Sequence, residues 1–241
     1  VRRRGAGGGV RALRGNTAGE SHGVGLIGIL EGLPAGLALD LGRIDAELER
    51  RQGGYGRSGR MKIERDRAEV LAGLRAGVTL GSPLALLVRN RDAVIEKLPV
   101  PRDPRPGHAD LAGCQKLGLR DPRAVLERAS ARETAVRVAL ASAARQVLEH
   151  FGIEVFAHVV ELGGEAVRED AFQAAGARRA ELRAASPFYA LDPEVEPRMR
   201  ARVDRARDAG DTLGGLFEGR ALGLPPGLGG YAAPGERLPA R

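Results

Sequence analysis

The chain has 241 residues, room for one large domain or two small ones, and 43 % of them are hydrophobic, enough for a core. Its formal charge is +7, but five arginines and no acid lie in the first fourteen residues, so the remainder carries only +2 and is not a basic chain throughout. Aromatics at 3 % give little to stack nucleic-acid bases on, and one cysteine, Cys114, excludes an internal disulfide framework and a Cys-based zinc site, as fits a reducing cytoplasm. No apolar run approaches the ~18 residues of a membrane span.

Residues 1–16 are Arg/Gly-rich without hydrophobic period and are expected to form a disordered leader. The run VGLIGIL (24–30) reads as an apolar strand, and the glycines and proline of 32–36 as turn chemistry. Asp40 can cap a helix over 41–52. After it comes a glycine-rich basic loop, GGYGRSGR (53–60). Strands are expected over 61–64, 68–74 and 83–88, with a turn at 77–82 between the last two. The four prolines of 99–107 mark an ordered loop or linker. One long helix is expected over 123–151, then a strand over 153–160 and exposed helix over 165–182. A helix starting at Asp192-Pro193 and a strand over 213–221 complete the pass. The pattern of a strand followed by G-L-P-x-G-L occurs twice, at 32–37 and 223–228, and hints at a duplicated unit in an α+β fold.

The stretch Gly19-Glu20-Ser21-His22-Gly23 matches the G-x-S-x-G spacing of a nucleophile elbow, but its context is wrong, because a strand-like run and not a helix follows. His22 stands among small and polar residues and is no core filler: it is a surface residue or an acid/base group on a turn. His108 sits in Arg105-Pro106-Gly107-His108-Ala109-Asp110, flanked by opposite charges. His150 and His158, in a helix end and a strand, read as structural, and no His-x-x-x-His or carboxylate cluster suggests a metal.

The arginines carry the strongest signal. They number 35 against three lysines. Arg50, Arg51, Arg57 and Arg60 gather around the glycine-rich loop, where backbone can approach an anion and guanidinium forks can grip phosphate or carboxylate. A solvated basic face is the plainer alternative. Arg128 and Arg132, read as i, i+4 neighbours on the long helix, could face one ligand, with the small Ala129, Ser130 and Ala131 leaving room for it. Three such segments imply a highly anionic substrate, cofactor or both.

Taken in order, TAGESHG (17–23), EGLPAG (31–36), RQGGYGRSGRMKIE (51–64), RPGHADL (105–111), ERASARETAVRV (127–138), GDTLGG (210–215) and LPPGLG (224–229) resemble chorismate synthase. The resemblance covers residues 17–230. It implies a β-α-β sandwich with internal duplication, and the last step of the shikimate pathway: anti-1,4-elimination of phosphate from 5-enolpyruvylshikimate 3-phosphate to give chorismate. Reduced FMN is then the required cofactor, with NADPH a possible reductant, in a cytoplasmic homotetramer that binds neither nucleic acid nor membrane.

By the same resemblance, His22 is the acid that protonates the departing phosphate, and His108 holds the proton inventory of the reduced flavin. Arg51, Arg60, Arg105 and Arg132 bind substrate anions. Arg51, Arg57, Arg128, Ala129 and Ser130 line the flavin site.

The chain also departs from the family pattern. A short apolar strand usually precedes TAGESHG, the stretch between 90 and 105 is short, and Leu117 follows Lys116 where an aromatic is common. The family's C-terminal third is absent, and YAAPGERLPAR (231–241) does not continue the pattern. The expectation is therefore a family domain over 17–230, incomplete at its C-terminal side, with weak or absent turnover. The alternatives are an inactive remnant or a basic nucleic-acid-binding module.

Overall fold

Alternation along β2 (Gly25–Glu31) sets the first half of the fold: Leu26 and Leu30 are buried, while Ile27 and Ile29 between them face outward. The computed structural model describes residues 13–57 and 65–228, which divide into two compact units at Val147/Leu148.

In the first unit, β1 (Arg14–Gly19), β2, β7 (Leu84–Arg89) and β4 (Ala68–Ala72) form an antiparallel sheet in the order β1-β2-β7-β4. Beside it, β3 (Ala35–Ala38), β6 (Val78–Leu80) and β5 (Leu74–Arg75) make a small sheet. Helix α1 (Leu41–Gln52) begins where the Asp40 carboxylate accepts the Gly42 amide at 2.8 Å, and its fully buried Ile44 and Leu48 fall one turn apart. Helix α4 (Thr134–His150) contributes Ala135, Val136, Ala139, Leu140 and Ala143 to the same core. It lies so close to β2 that a Cβ on Gly28 would sit 2.7 Å from Val136 Cγ2. Helices α2 (Asp110–Leu117) and α3 (Arg123–Arg128) precede α4.

The second unit is built on β8 (Glu154–Leu162), with β10 (Gly215–Leu222) and β9 (Glu165–Ala166) in the order β10-β8-β9. Its core joins Phe156 and Leu191 to Ala171 and Ala175 of α5 (Ala171–Ala175). Helices α6 (Arg179–Ala185) and α7 (Glu196–Asp208) complete it. The repeated turn has one geometry in both units: Gly32 and Gly36 have φ of 87° and 85°, Gly223 and Gly227 of 75° and 84°. These values lie in the left-handed region that favours glycine.

Several expectations change. Strand β1 occupies residues 14–16 of the expected leader, because its exposed RGNTAG backbone pairs along the whole of apolar β2. The expected turn at 77–82 contains β6. The long helix of 123–151 is broken: Ser130 is extended (ψ 147°), and its hydroxyl accepts the Arg132 amide to start a 3₁₀ turn over Ala131–Glu133. Exposed helix over 165–182 gives way to β9, α5 and the start of α6. The strand expected over 61–64 lies outside the described residues, as do residues 1–12 of the leader and 231–241.

Candidate active site

His22 sits in the turn between β1 and β2, held from two sides. Its backbone N–H and its Nδ1 both lie on Glu127 Oε2, at 2.9 and 2.7 Å, while its carbonyl accepts the Ile95 amide at 2.9 Å. The ring is a quarter exposed, and Nε2 is 3.7 Å from Asp92 Oδ2. Glu127 is fully buried on α3, and Arg123 donates to its other oxygen at 3.2 Å. Burial opposes ionisation of Glu127, but hydrogen bonds from His22 and Arg123 outweigh it and bring its pKa below the ordinary value. Strand β2, not a helix, follows this turn, and Ser21 is buried, so the nucleophile-elbow geometry is absent here.

His108 is held similarly: Nδ1 lies 2.7 Å from the buried Asp110 carboxylate at the start of α2. Arg105 reaches the same carboxylate through its backbone amide and Nε at 3.1 and 3.0 Å, and its Nη2 lies 2.9 Å from His108 Nδ1. The Arg105 side chain is the foremost reason the Asp110 carboxyl is held far below the usual carboxylate range, against burial.

The arginines divide. Arg51, at the end of α1, donates to Thr134 Oγ1 and the Ala131 carbonyl at 2.9 and 3.1 Å and approaches Asp66 at 3.4 Å. Burial first, then the charges of Arg132 and Arg57, depress its pKa despite Asp66. Arg57 is exposed, with Nε on the Gly53 carbonyl at 2.8 Å. Arg50, expected to join this group, instead pairs with Glu47. Arg60 lies outside the described residues.

Arg128 and Arg132 do not share a helical stripe, because the chain leaves the helix between them. Arg128 turns to the Thr17 carbonyl and hydroxyl, both at 2.9 Å, and its Nη1 is buried without a hydrogen-bond partner. Arg132 is buried: Nη1 lies 2.7 Å from Asp66, Nε 2.8 Å from Asn90 Oδ1 and Nη2 3.2 Å from the Arg89 carbonyl. Ala129 is exposed beside them, and Ser130 is spent on its cap.

Three residues with structural weight here were not singled out by the motifs. Asn90 joins Arg132 to the histidine turn, since its amide nitrogen donates to the Glu20 and Gly23 carbonyls at 3.0 and 2.8 Å. Asp66 faces two arginines, and Glu127 hydrogen-bonds to His22. The buried state of all three carries the signal, and a linear motif does not display burial. Among the described residues, no group of three or more His, Cys, Asp or Glu could hold a metal ion, and no helix is long and apolar enough to cross a membrane.

The model of the family described as chorismate synthase matches residues 13–241. The chain belongs to the chorismate synthase family. The match takes in residues 13–16 and the 231–241 tail, both read from the sequence alone as outside the family domain. Chorismate synthase from Desulforudis audaxviator is 51 % identical over 243 residues, covering 95 % of this chain and 61 % of that protein. The Rubrobacter xylanophilus chorismate synthase is 53 % identical over 237 residues, covering 94 % and 60 %. A solved structure titled "Crystal Structure of Chorismate Synthase" superposes with a TM-score of 0.77 at 40 % identity, over 95 % of this chain and 64 % of its own. The chain thus spans about three-fifths of the length of the curated relatives it matches. The α+β architecture is that of this chorismate synthase structure.

Proposed function

We propose that this chain carries active-site residues of a chorismate synthase, which eliminates phosphate and a ring proton from 5-enolpyruvylshikimate 3-phosphate to give chorismate. The observation that carries this reading is the gathering of His22, His108 and the guanidinium groups of Arg51, Arg105 and Arg128 within one unit of a chorismate synthase family member. His22 donates a proton from its ring to the departing phosphate. Arg105 and Arg51, with Arg60, bind the substrate's phosphate and carboxylates, and Arg132 holds Asp66 in place among them. Charge stabilisation by guanidinium groups is the larger contribution, and proton donation adds about 10²–10⁴-fold.

The residues present fit reduced FMN. The Arg51 guanidinium, its pKa depressed first by burial and then by the charges of Arg132 and Arg57, and the buried unpartnered Nη1 of Arg128 support a cluster that an anion such as the FMN phosphate would relieve. Arg51, Arg57, Arg128, Ala129 and Ser130 would hold it, and His108 would keep a proton beside it. When bound, reduced FMN supplies the electron-rich partner that this redox-neutral elimination requires, with NADPH as a reductant. The outward Ile27, Ile29 and Leu71, 39–53 % exposed, support burial against another chain, and light scattering would test whether the assembly is the homotetramer expected of the family.

A titration of the chain with FMN under reducing, anaerobic conditions tests the site. The expected result is saturable binding that tightens when 5-enolpyruvylshikimate 3-phosphate is present. Absence of saturable binding under both conditions would sink the proposal.

A further inference from the structure

His22 is held by one carboxylate in two ways at once, and this carries a consequence for its ring. Glu127 Oε2 receives the His22 main-chain N–H at 2.9 Å and lies 2.7 Å from Nδ1, and the Glu127 carbonyl accepts the neighbouring Ser21 amide at 3.1 Å. Arg123 occupies the other carboxylate oxygen at 3.2 Å. An ionised carboxylate can only accept, so Nδ1 must be the donor. The carboxylate side chain is fully buried, where a charge-assisted hydrogen bond is strong and water does not compete for its oxygens. Nε2 points the other way, toward the partly exposed Asp92 carboxylate at 3.7 Å.

We propose that Glu127 is a positioning residue that fixes neutral His22 as its Nδ1–H tautomer and so reserves Nε2 as the nitrogen that gains and gives up the exchangeable proton. The free histidine side chain prefers the opposite tautomer, with hydrogen on Nε2. The protein therefore reverses an intrinsic preference at one of its four histidines, through a buried residue five positions before Arg132. The catalytic meaning of Nε2 rests on His22 acting as the proton donor, but the tautomer does not.

The test reads the tautomer directly, without turnover. Long-range ¹H–¹⁵N spectra of the ¹⁵N-histidine-labelled chain, at a pH where His22 is neutral, distinguish Nδ1–H from Nε2–H. The variant His22→Gln assigns its signals. Expected is a ratio of at least about tenfold in favour of Nδ1–H, the bias a charge-assisted hydrogen bond supplies. In Glu127→Ala the ratio should invert to the Nε2–H form. If Glu127→Ala lacks native far-ultraviolet circular dichroism, Glu127→Asp, which keeps the charge but withdraws the oxygen by a methylene, should show the same inversion. A native chain with Nε2–H predominant, or a folded variant that keeps Nδ1–H, would overturn the proposal. If Nδ1–H is found and inverts as expected while FMN shows no saturable binding with or without the substrate, the functional reading falls and the positioning role stands.

Discussion

Arg132 and Asp66 form an ion pair 2.7 Å apart with side chains 3 % and 0 % exposed, so the charge of an arginine from a ligand-like motif is neutralised inside the fold. Asp66 also faces Arg51 at 3.4 Å. Removing one member of a buried pair strands the other. Asp66→Ala is expected to cost about 3–5 kcal/mol, measured as a lower urea midpoint with the slope unchanged.

Asn90 offers a milder probe of the same region. Asn90→Ala would leave the Glu20 and Gly23 carbonyls and Arg132 Nε without their present partner. A loss of about 2 kcal/mol or more is expected, together with faster amide exchange at the Gly23 and Asn90 N–H groups that close the turn. Unchanged exchange there would show that the amide does not secure the histidine turn.

Much of this was legible in the residues, and what was not has physical causes. Helix α1 was read to its end residues, because Asp40 caps it and Ile44 and Leu48 lie at helical spacing. Strand β2 was read to within one residue at each end from its apolar run. Strand β1 was not, because RGNTAG is polar and exposed, and its pairing is dictated by β2 rather than by its own composition. The break at Ser130 was hidden by the helix-favouring Ala, Leu and Arg on both sides; one hydroxyl cap decides it. Both histidines and most of the arginines could be picked from their neighbours in the chain. Asp110 stood beside His108 in the same motif, but the distant carboxylates could not be picked, since Glu127 meets His22 across 105 positions and Arg132 meets Asp66 across 66.

Acid should loosen the first unit in a predictable window. The Asp110 carboxyl is held below its ordinary value of 3.8, first by the Arg105 side chain, and Glu127 below 4.5, where hydrogen bonds from His22 and Arg123 outweigh burial. A carboxylate whose folded pKa is depressed contributes stability that is fully present above the unfolded value and is lost as pH falls toward the folded one. The urea midpoint should therefore fall as pH drops below about 4, and Asp110→Asn should flatten that fall.

The contact of β2 with α4 is tight enough to forbid a single methyl. In Gly28→Ala the added carbon would lie 2.7 Å from Val136 Cγ2 and 2.8 Å from Leu140 Cγ, so strand and helix must separate. The expected loss is about 1–3 kcal/mol by thermal or urea unfolding. A double variant with Leu140→Ala that loses less stability than the two single losses summed would locate the strain.

The interruption after Arg128 makes residues 128–132 a fork with two addressees, Thr17 on one side and Asp66 with Asn90 on the other. A conservative exchange within it alters one branch, but adding or deleting a residue rotates everything downstream and misdirects both. Length, as much as identity, sets both contacts in this stretch, and insertions that exposed loops elsewhere would absorb have no place in it.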